Sequence, residues 1–155
     1  MSTLQNILDY LRPIQTHLVD ERPIRHILTD SRKLSSPNDS LFFAMRTASG
    51  DGHKYIPQLY EHGVRAFFIC EPIEPYVECY PDANIVQVQE TLRALQQIAS
   101  HWRMRYDYPV IGITGSNGKT VVKEFLYHLL SGCYRIVRSP KSYNSQLGVP
   151  LSILN

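Results

Sequence analysis

Apolar and polar positions set the elements. Leu4, Ile7, Leu8 and Leu11 recur at helical spacing behind the candidate caps Ser2 and Thr3, and Pro13 stops the run, which predicts a short opening helix. After a polar loop, Leu41-Phe42-Phe43-Ala44 is a compact apolar run between Pro37-Asn38-Asp39-Ser40 and Ser49-Gly50-Asp51-Gly52, as expected of a buried strand between turns. Ile56, Leu59 and Tyr60 then mark a helix with Pro57 in its first turn and Gly63 at its C-terminal cap. Val64 to Cys70 reads as the next strand, Glu71 to Asp82 as a proline-bearing acidic loop, and Ile85-Val86-Gln87-Val88-Gln89 as a half-buried strand. Leu92, Leu95, Ala99 and Trp102 share one face of the helix that follows, opposite Arg93, Gln96, Gln97 and Arg103. Alternating strands and helices predict an α/β domain. The polar stretch Met104 to Pro109 marks its end, dividing the chain into residues 1–106 and 107–155.

The second part opens with an apolar run, Val110 to Thr114, that predicts a buried strand. Gly115-Ser116-Asn117-Gly118-Lys119-Thr120 follows, and Val121 to Leu130 reads as a helix closed by Gly132. This is the strand, glycine loop and helix order of a P-loop. Glycines let backbone N–H groups approach phosphate oxygens, the helix N-terminus adds a favourable dipole, and a lysine neutralises the outer phosphates. Thr120 is placed to offer its hydroxyl to Mg²⁺. The general pattern asks for glycine where this chain has Ile113, so the loop is a variant; the competing reading is a glycine-rich turn with an incidental lysine.

Charge narrows the choice of function. Sixteen Lys and Arg against fourteen Asp and Glu give a net charge of +2 over 155 residues, with no basic run suited to nucleic acid. Apolar runs fall far short of the roughly 18 residues a membrane helix needs, and Cys70, Cys79 and Cys133 follow no secretory signal. A soluble, cytoplasmic chain with free thiols is expected. Asp30-Ser31-Arg32-Lys33 puts a hydroxyl and two cations on one loop, which suits a diphosphate; ordinary turn chemistry is the alternative. His53 either contacts substrate or sits at the surface, and the histidines lack the paired spacing of a metal site. Tyr143 is expected to pack or to line a cleft.

Thr114-Gly115-Ser116-Asn117-Gly118-Lys119-Thr120 resembles the ATP loop of the Mur ligase family, ATP-dependent amide-forming enzymes of peptidoglycan precursor synthesis with the same displaced glycine. Three further stretches carry the resemblance into the first domain: Thr29-Asp30-Ser31-Arg32, Asp39-Ser40-Leu41-Phe42-Phe43-Ala44 and Asp51-Gly52-His53. Asn144-Ser145-Gln146-Leu147-Gly148-Val149-Pro150 resembles a segment of the central domain, with Ser145 where the family usually has a second asparagine. Arg46-Thr47 stands where the family tends to have glycine. Ser116-Asn117 together with Lys123-Glu124 is most similar to members that add D-alanyl-D-alanine to UDP-N-acetylmuramoyl-tripeptide, and Asp51 to Phe68 resembles forms fused to an alanine racemase.

The resemblance implies an α/β UDP-substrate domain followed by the first β-α unit of an ATP-binding P-loop domain. It implies ATP and Mg²⁺ as cofactors, with Thr114, Gly115, Ser116, Asn117, Gly118, Lys119 and Thr120 holding the nucleotide. Lys119 is the implied catalytic residue and Thr120 the implied metal ligand. Asp30, Ser31, Arg32 and Asn144 would hold UDP-N-acetylmuramoyl-tripeptide, whose terminal carboxylate becomes an acyl phosphate attacked by D-alanyl-D-alanine. Neither nucleic acid nor membrane is an implied partner. The family's metal-binding acid, its histidine and its third domain have no counterpart before Asn155, so the chain is expected to be an N-terminal piece that does not ligate alone. Other readings are a ligase adding the third peptide residue, a folate polyglutamylating enzyme, a non-catalytic UDP-substrate module and an unrelated P-loop kinase.

Overall fold

The computed structural model describes residues 3–48, 50–140 and 143–154; Ser2 and Ser49, named above for a cap and a turn, lie outside them. Five strands form one sheet in the order β1-β7-β6-β3-β2, comprising β1 Gln15–His17, β2 His26–Leu28, β3 Ser40–Phe43, β6 Ala66–Ile69 and β7 Asn84–Gln87. The last four run parallel, and β1 joins β7 antiparallel. A hairpin of β4 Arg46–Thr47 and β5 Gly50–Asp51 stands outside the sheet.

Alternation along the strands sorts side chains onto the two faces of the sheet. Leu41, Phe43, Ala66, Phe68 and Val86 lie in one core; Phe42, Phe67, Ile69 and Ile85 lie in the other. The Phe43 and Phe68 rings stack with centroids 4.7 Å apart, while Phe42 and Phe67 meet edge to face at 6.4 Å. Helices α1 Leu4–Leu8, α4 Thr91–Met104 and α6 Gly148–Leu154 supply apolar residues to the first core; α2 Ile56–Glu61 and the start of α3 Glu74–Cys79 supply the second. Helices thus cover both faces, which is why β3, β6 and most of β7 are fully buried.

Several elements differ from expectation. Residues 84–86 are all buried, so β7 is a central strand rather than a half-exposed one. The opening helix ends at Leu8 instead of running to Pro13. The stretch 71–82 contains α3, in which Pro75 fits the first turn and Ile73, Tyr76, Val77 and Tyr80 pack on one side. Buried on α4 are Ala94, Leu95, Ile98 and Ala99, a face turned slightly from the one predicted. Gly63 does end α2, at φ 95°, with Val64 N–H bonded to Leu59 O and Gly63 N–H to Tyr60 O.

The expected strand from Val110 to Thr114 is not formed: these residues are irregular, and Val110 and Ile111 are each 63% exposed. A strand needs a hydrogen-bonded neighbour, and no described strand lies beside it. Helix α5, Lys119–Leu130, is formed but buries no residue. After α4, Arg103 donates to the carbonyls of Tyr106 and Tyr108 and lies over the Tyr108 ring at 4.5 Å, which ties residues 106–108 to α4.

Candidate functional site

The 114–120 stretch is one continuous loop running into α5. Gly115 and Gly118 hold φ of 144° and 77°, values L side chains rarely adopt, so glycine at both is a requirement of this backbone. Gly118 is the N-cap of α5, no side chain caps it, and a Cβ there would meet nothing within 4 Å. The first turn of a helix leaves N–H groups without an intrahelical acceptor. With no side-chain cap at Gly118, this helix start suits an anionic group. Lys119 folds back onto its own loop, donating to Gly115 O and to Ser116 O, the latter at 3.3 Å. Lys123 and Glu124 tie the following segment to α5. Lys123 donates to Ser139 O at 2.9 Å, and Glu124 pairs with Arg138, whose guanidinium covers the Tyr127 ring at 4.0 Å.

Asp30, Ser31 and Arg32 form a tight turn at the end of β2. The Asp30 carboxylate caps a 3-10 turn, Ser31–Lys33, by accepting Arg32 N–H at 3.2 Å. It also receives the Arg32 guanidinium as a fork, Nε to Oδ1 and Nη2 to Oδ2, both at 2.9 Å. These hydrogen bonds hold the Asp30 carboxyl below its ordinary range and raise Arg32 further. The Arg32 side chain is 86% exposed.

Two clefts flank α6. One, of about 190 Å³, is bounded by Thr29, Asp30, Lys33 and Ser40 on one side and by Tyr143 and Leu151 on the other. The second, about 490 Å³, lies between α4 and α6 and includes Asn144, Gln96, Ser100 and Arg103. The structure therefore brings Asp30 and Tyr143 together, places Asn144 in a separate cleft, and brings no residue of the 114–120 loop into either. Ser145, in place of the family's second asparagine, has its own use: its hydroxyl accepts Gly148 N–H at 2.9 Å and its carbonyl accepts Val149 N–H, so it starts α6.

His53 is buried, at 6% exposure, and so is not a surface residue, one of the two expectations for it. Its Nδ1 bonds the Asp51 carboxylate, and its Nε2 accepts the Cys70 backbone N–H at 3.1 Å, so neither nitrogen is left for a ligand. Asp51, His53 and Glu71 place ligand atoms within 4.8 Å of one another, but the Arg46 guanidinium already bridges the two carboxylates. Burial pushes the Asp51 carboxyl up, yet hydrogen bonds from the His53 N–H and ring and from Arg46 outweigh it and bring the group down to about 2. Cys70 Sγ lies 3.8 Å from His53 Nε2 with Asp51 behind, the order of a nucleophile, base and orienting acid. Burial pushes that thiol up and its own N–H occupies the base, so the cluster is a structural tie.

Residues 23–103 match the profile described as "Mur ligase family, catalytic domain", and residues 113–155 match "Mur ligase middle domain". The UDP-N-acetylmuramoyl-tripeptide--D-alanyl-D-alanine ligase of Synechocystis is 39% identical over 141 residues, 90% of this chain but 30% of that protein. A crystal structure of MurF from Acinetobacter baumannii superposes with a TM-score of 0.85 at 28% identity, over 98% of this chain and 32% of the other. The MurF ligase of Thermotoga maritima in complex with ADP gives 0.71 at 28% identity, over 84% and 29%. The chain spans under a third of the length of that curated relative, and it matches two successive segments of one family. The chain belongs to the Mur ligase family.

Proposed function

We propose that residues 1–106 bind UDP-N-acetylmuramoyl-tripeptide and that residues 107–155 begin the ATP-binding domain of a cytoplasmic ligase that joins D-alanyl-D-alanine to that substrate. The observation that carries this reading is the pairing of a glycine-capped helix, followed at once by Lys119, with an α/β domain bearing a cationic turn beside a cleft. The 39% identity to a relative named for this reaction supports the choice of substrates. ATP, when bound, would supply the phosphoryl group that turns the tripeptide carboxylate into an acyl phosphate, from which the amine of D-alanyl-D-alanine displaces inorganic phosphate to form the amide. Gly115 to Gly118 would present backbone N–H groups to its phosphates, and Thr114 and Thr120 would flank them. Lys119 would leave its loop carbonyls to meet the outer phosphates, where its charge favours the more negative transition state. The Thr120 hydroxyl would be this chain's ligand to Mg²⁺.

The residues of the 26–35 and 143–151 segments would hold and orient the UDP end, and Asn144 the neighbouring part of the substrate. Calorimetric titration of the 155-residue chain with UDP-N-acetylmuramoyl-tripeptide, UDP and ADP tests this directly. One saturable uridine-nucleotide site, weakened in Ser31→Ala and undisturbed by ADP, is the expected result. A folded chain that binds no uridine nucleotide would contradict the proposal.

A further inference from the structure

We infer that Lys33 is the side chain that touches the diphosphate of a uridine nucleotide, and that Arg32 serves it indirectly by neutralising Asp30. The inference rests on the uridine-nucleotide reading of this cleft given above. Sequence alone treats the two cations of Asp30-Ser31-Arg32-Lys33 as equivalent. The structure separates them. Arg32 commits Nε and Nη2 to the two oxygens of Asp30, its side chain points into solvent, and it is not among the residues that line the 190 Å³ cleft. Lys33 does line that cleft, and among the described residues no carboxylate lies within ion-pair distance of its ammonium.

The rest of the cleft fits one part of a nucleotide. Its volume is below the roughly 300 Å³ at which whole-ligand pockets begin, so it takes a portion of the ligand while the remainder lies along the surface. Ile27, Leu28, Leu151 and the Tyr143 ring give it an apolar side. The Ser40 hydroxyl is already committed to Ser36 O; the remaining polar lining is His26, Thr29, Ser35, Asp30 and Lys33, of which Lys33 is the one lysine or arginine. Asp30 also lines the cleft and would repel a phosphate if bare. The Arg32 fork cancels that charge, so an anion can approach Lys33 past a neutral pair.

Charge removal followed by rescue separates touching from neutralising. UDP and uridine are titrated into the wild-type chain, Lys33→Met, Arg32→Met and Asp30→Asn/Arg32→Met, each first checked for an unchanged circular dichroism spectrum. Asn retains the cap that Asp30 supplies to the turn. Lys33→Met is expected to lower UDP affinity at least about tenfold, the size of one charge-assisted hydrogen bond, and to leave uridine affinity unchanged. Arg32→Met is expected to weaken UDP binding, and adding Asp30→Asn is expected to restore it. Unchanged UDP affinity in Lys33→Met overturns the inference, as does a double variant no better than Arg32→Met, since Arg32 would then be the contact. Both outcomes presuppose UDP binding by the wild-type chain; its absence overturns the uridine reading itself, and this inference with it.

Discussion

Gly52 is held so close to the end of β3 that a Cβ on it would lie 2.7 Å from Met45 N and 2.9 Å from Met45 O. Its own N–H bonds Met45 O at 2.7 Å, so neither backbone can retreat without losing that bond. Gly52→Ala is therefore expected to destabilise the chain by about 1–3 kcal/mol, the cost of forcing a carbon into filled space. A urea unfolding midpoint equal to the wild type's would refute this. On either side, Asp51 caps the following 3-10 turn and His53 reaches the Cys70 N–H, so the three consecutive residues close one corner by three different means. Asp51 also gives the corner a pH dependence. Its folded value of about 2 lies below the ordinary 3.8, so its charged form contributes stability above about pH 4 that is lost as pH falls toward 2. Asp51→Asn should accordingly cost most near neutrality, with the gap to wild type closing in acid; urea midpoints at about pH 6 and about pH 2.5 would show a constant gap if the account is wrong. Asp51-Gly52-His53 was legible as a family motif, but the close approach that explains its glycine depends on where β3 ends, which no local pattern reveals.

At the level of elements, the central strands were legible because burial on both faces demands uninterrupted apolar runs such as Leu41 to Ala44. Strands β1 and β2 were not: each has three residues, and Gln15-Thr16-His17 carries no apolar signal because it is an edge strand holding on through β7. Helix α3 was hidden by its prolines and acids, although Ile73, Tyr76, Val77 and Tyr80 follow helical spacing. The apolar run from Val110 to Thr114 signals a strand that the structure does not contain, since period and hydropathy specify burial but not the neighbour that provides it. Helix α5 raises the same issue. Val121, Phe125 and Leu129 are 71%, 64% and 62% exposed, whereas α4 is packed between the sheet and α6. Hydrogen exchange should show this: amides of 121–130 are expected to exchange on the order of a hundredfold faster than those of 95–104. Equal protection of the two helices would mean that α5 is covered in solution.

Across the whole chain, the first three-layer unit and the glycine loop have different standing. The sheet with its two cores is closed by its own helices, and α6, although it follows the glycine loop in sequence, packs Leu151 and Leu154 into the first core. This return of the chain is what forms both clefts, and it could not be read from sequence, because it joins residues 26–35 to residues 143–151 across more than a hundred positions. Of the glycine loop, the sequence pattern anticipated a helix start beside Gly118 and Lys119 and glycines at positive φ, but not the absence of the strand before it among the described residues. The central claim is that the first unit carries a uridine-nucleotide site at the cleft beside α6. Nuclear magnetic resonance mapping of UDP-N-acetylmuramoyl-tripeptide binding to the isotope-labelled chain tests it most directly. The account predicts shifts concentrated at 26–35 and 143–151, with α2 and α3 on the opposite face unchanged. Shifts confined to the α2 and α3 face, or none in a folded chain at saturating ligand, would contradict it.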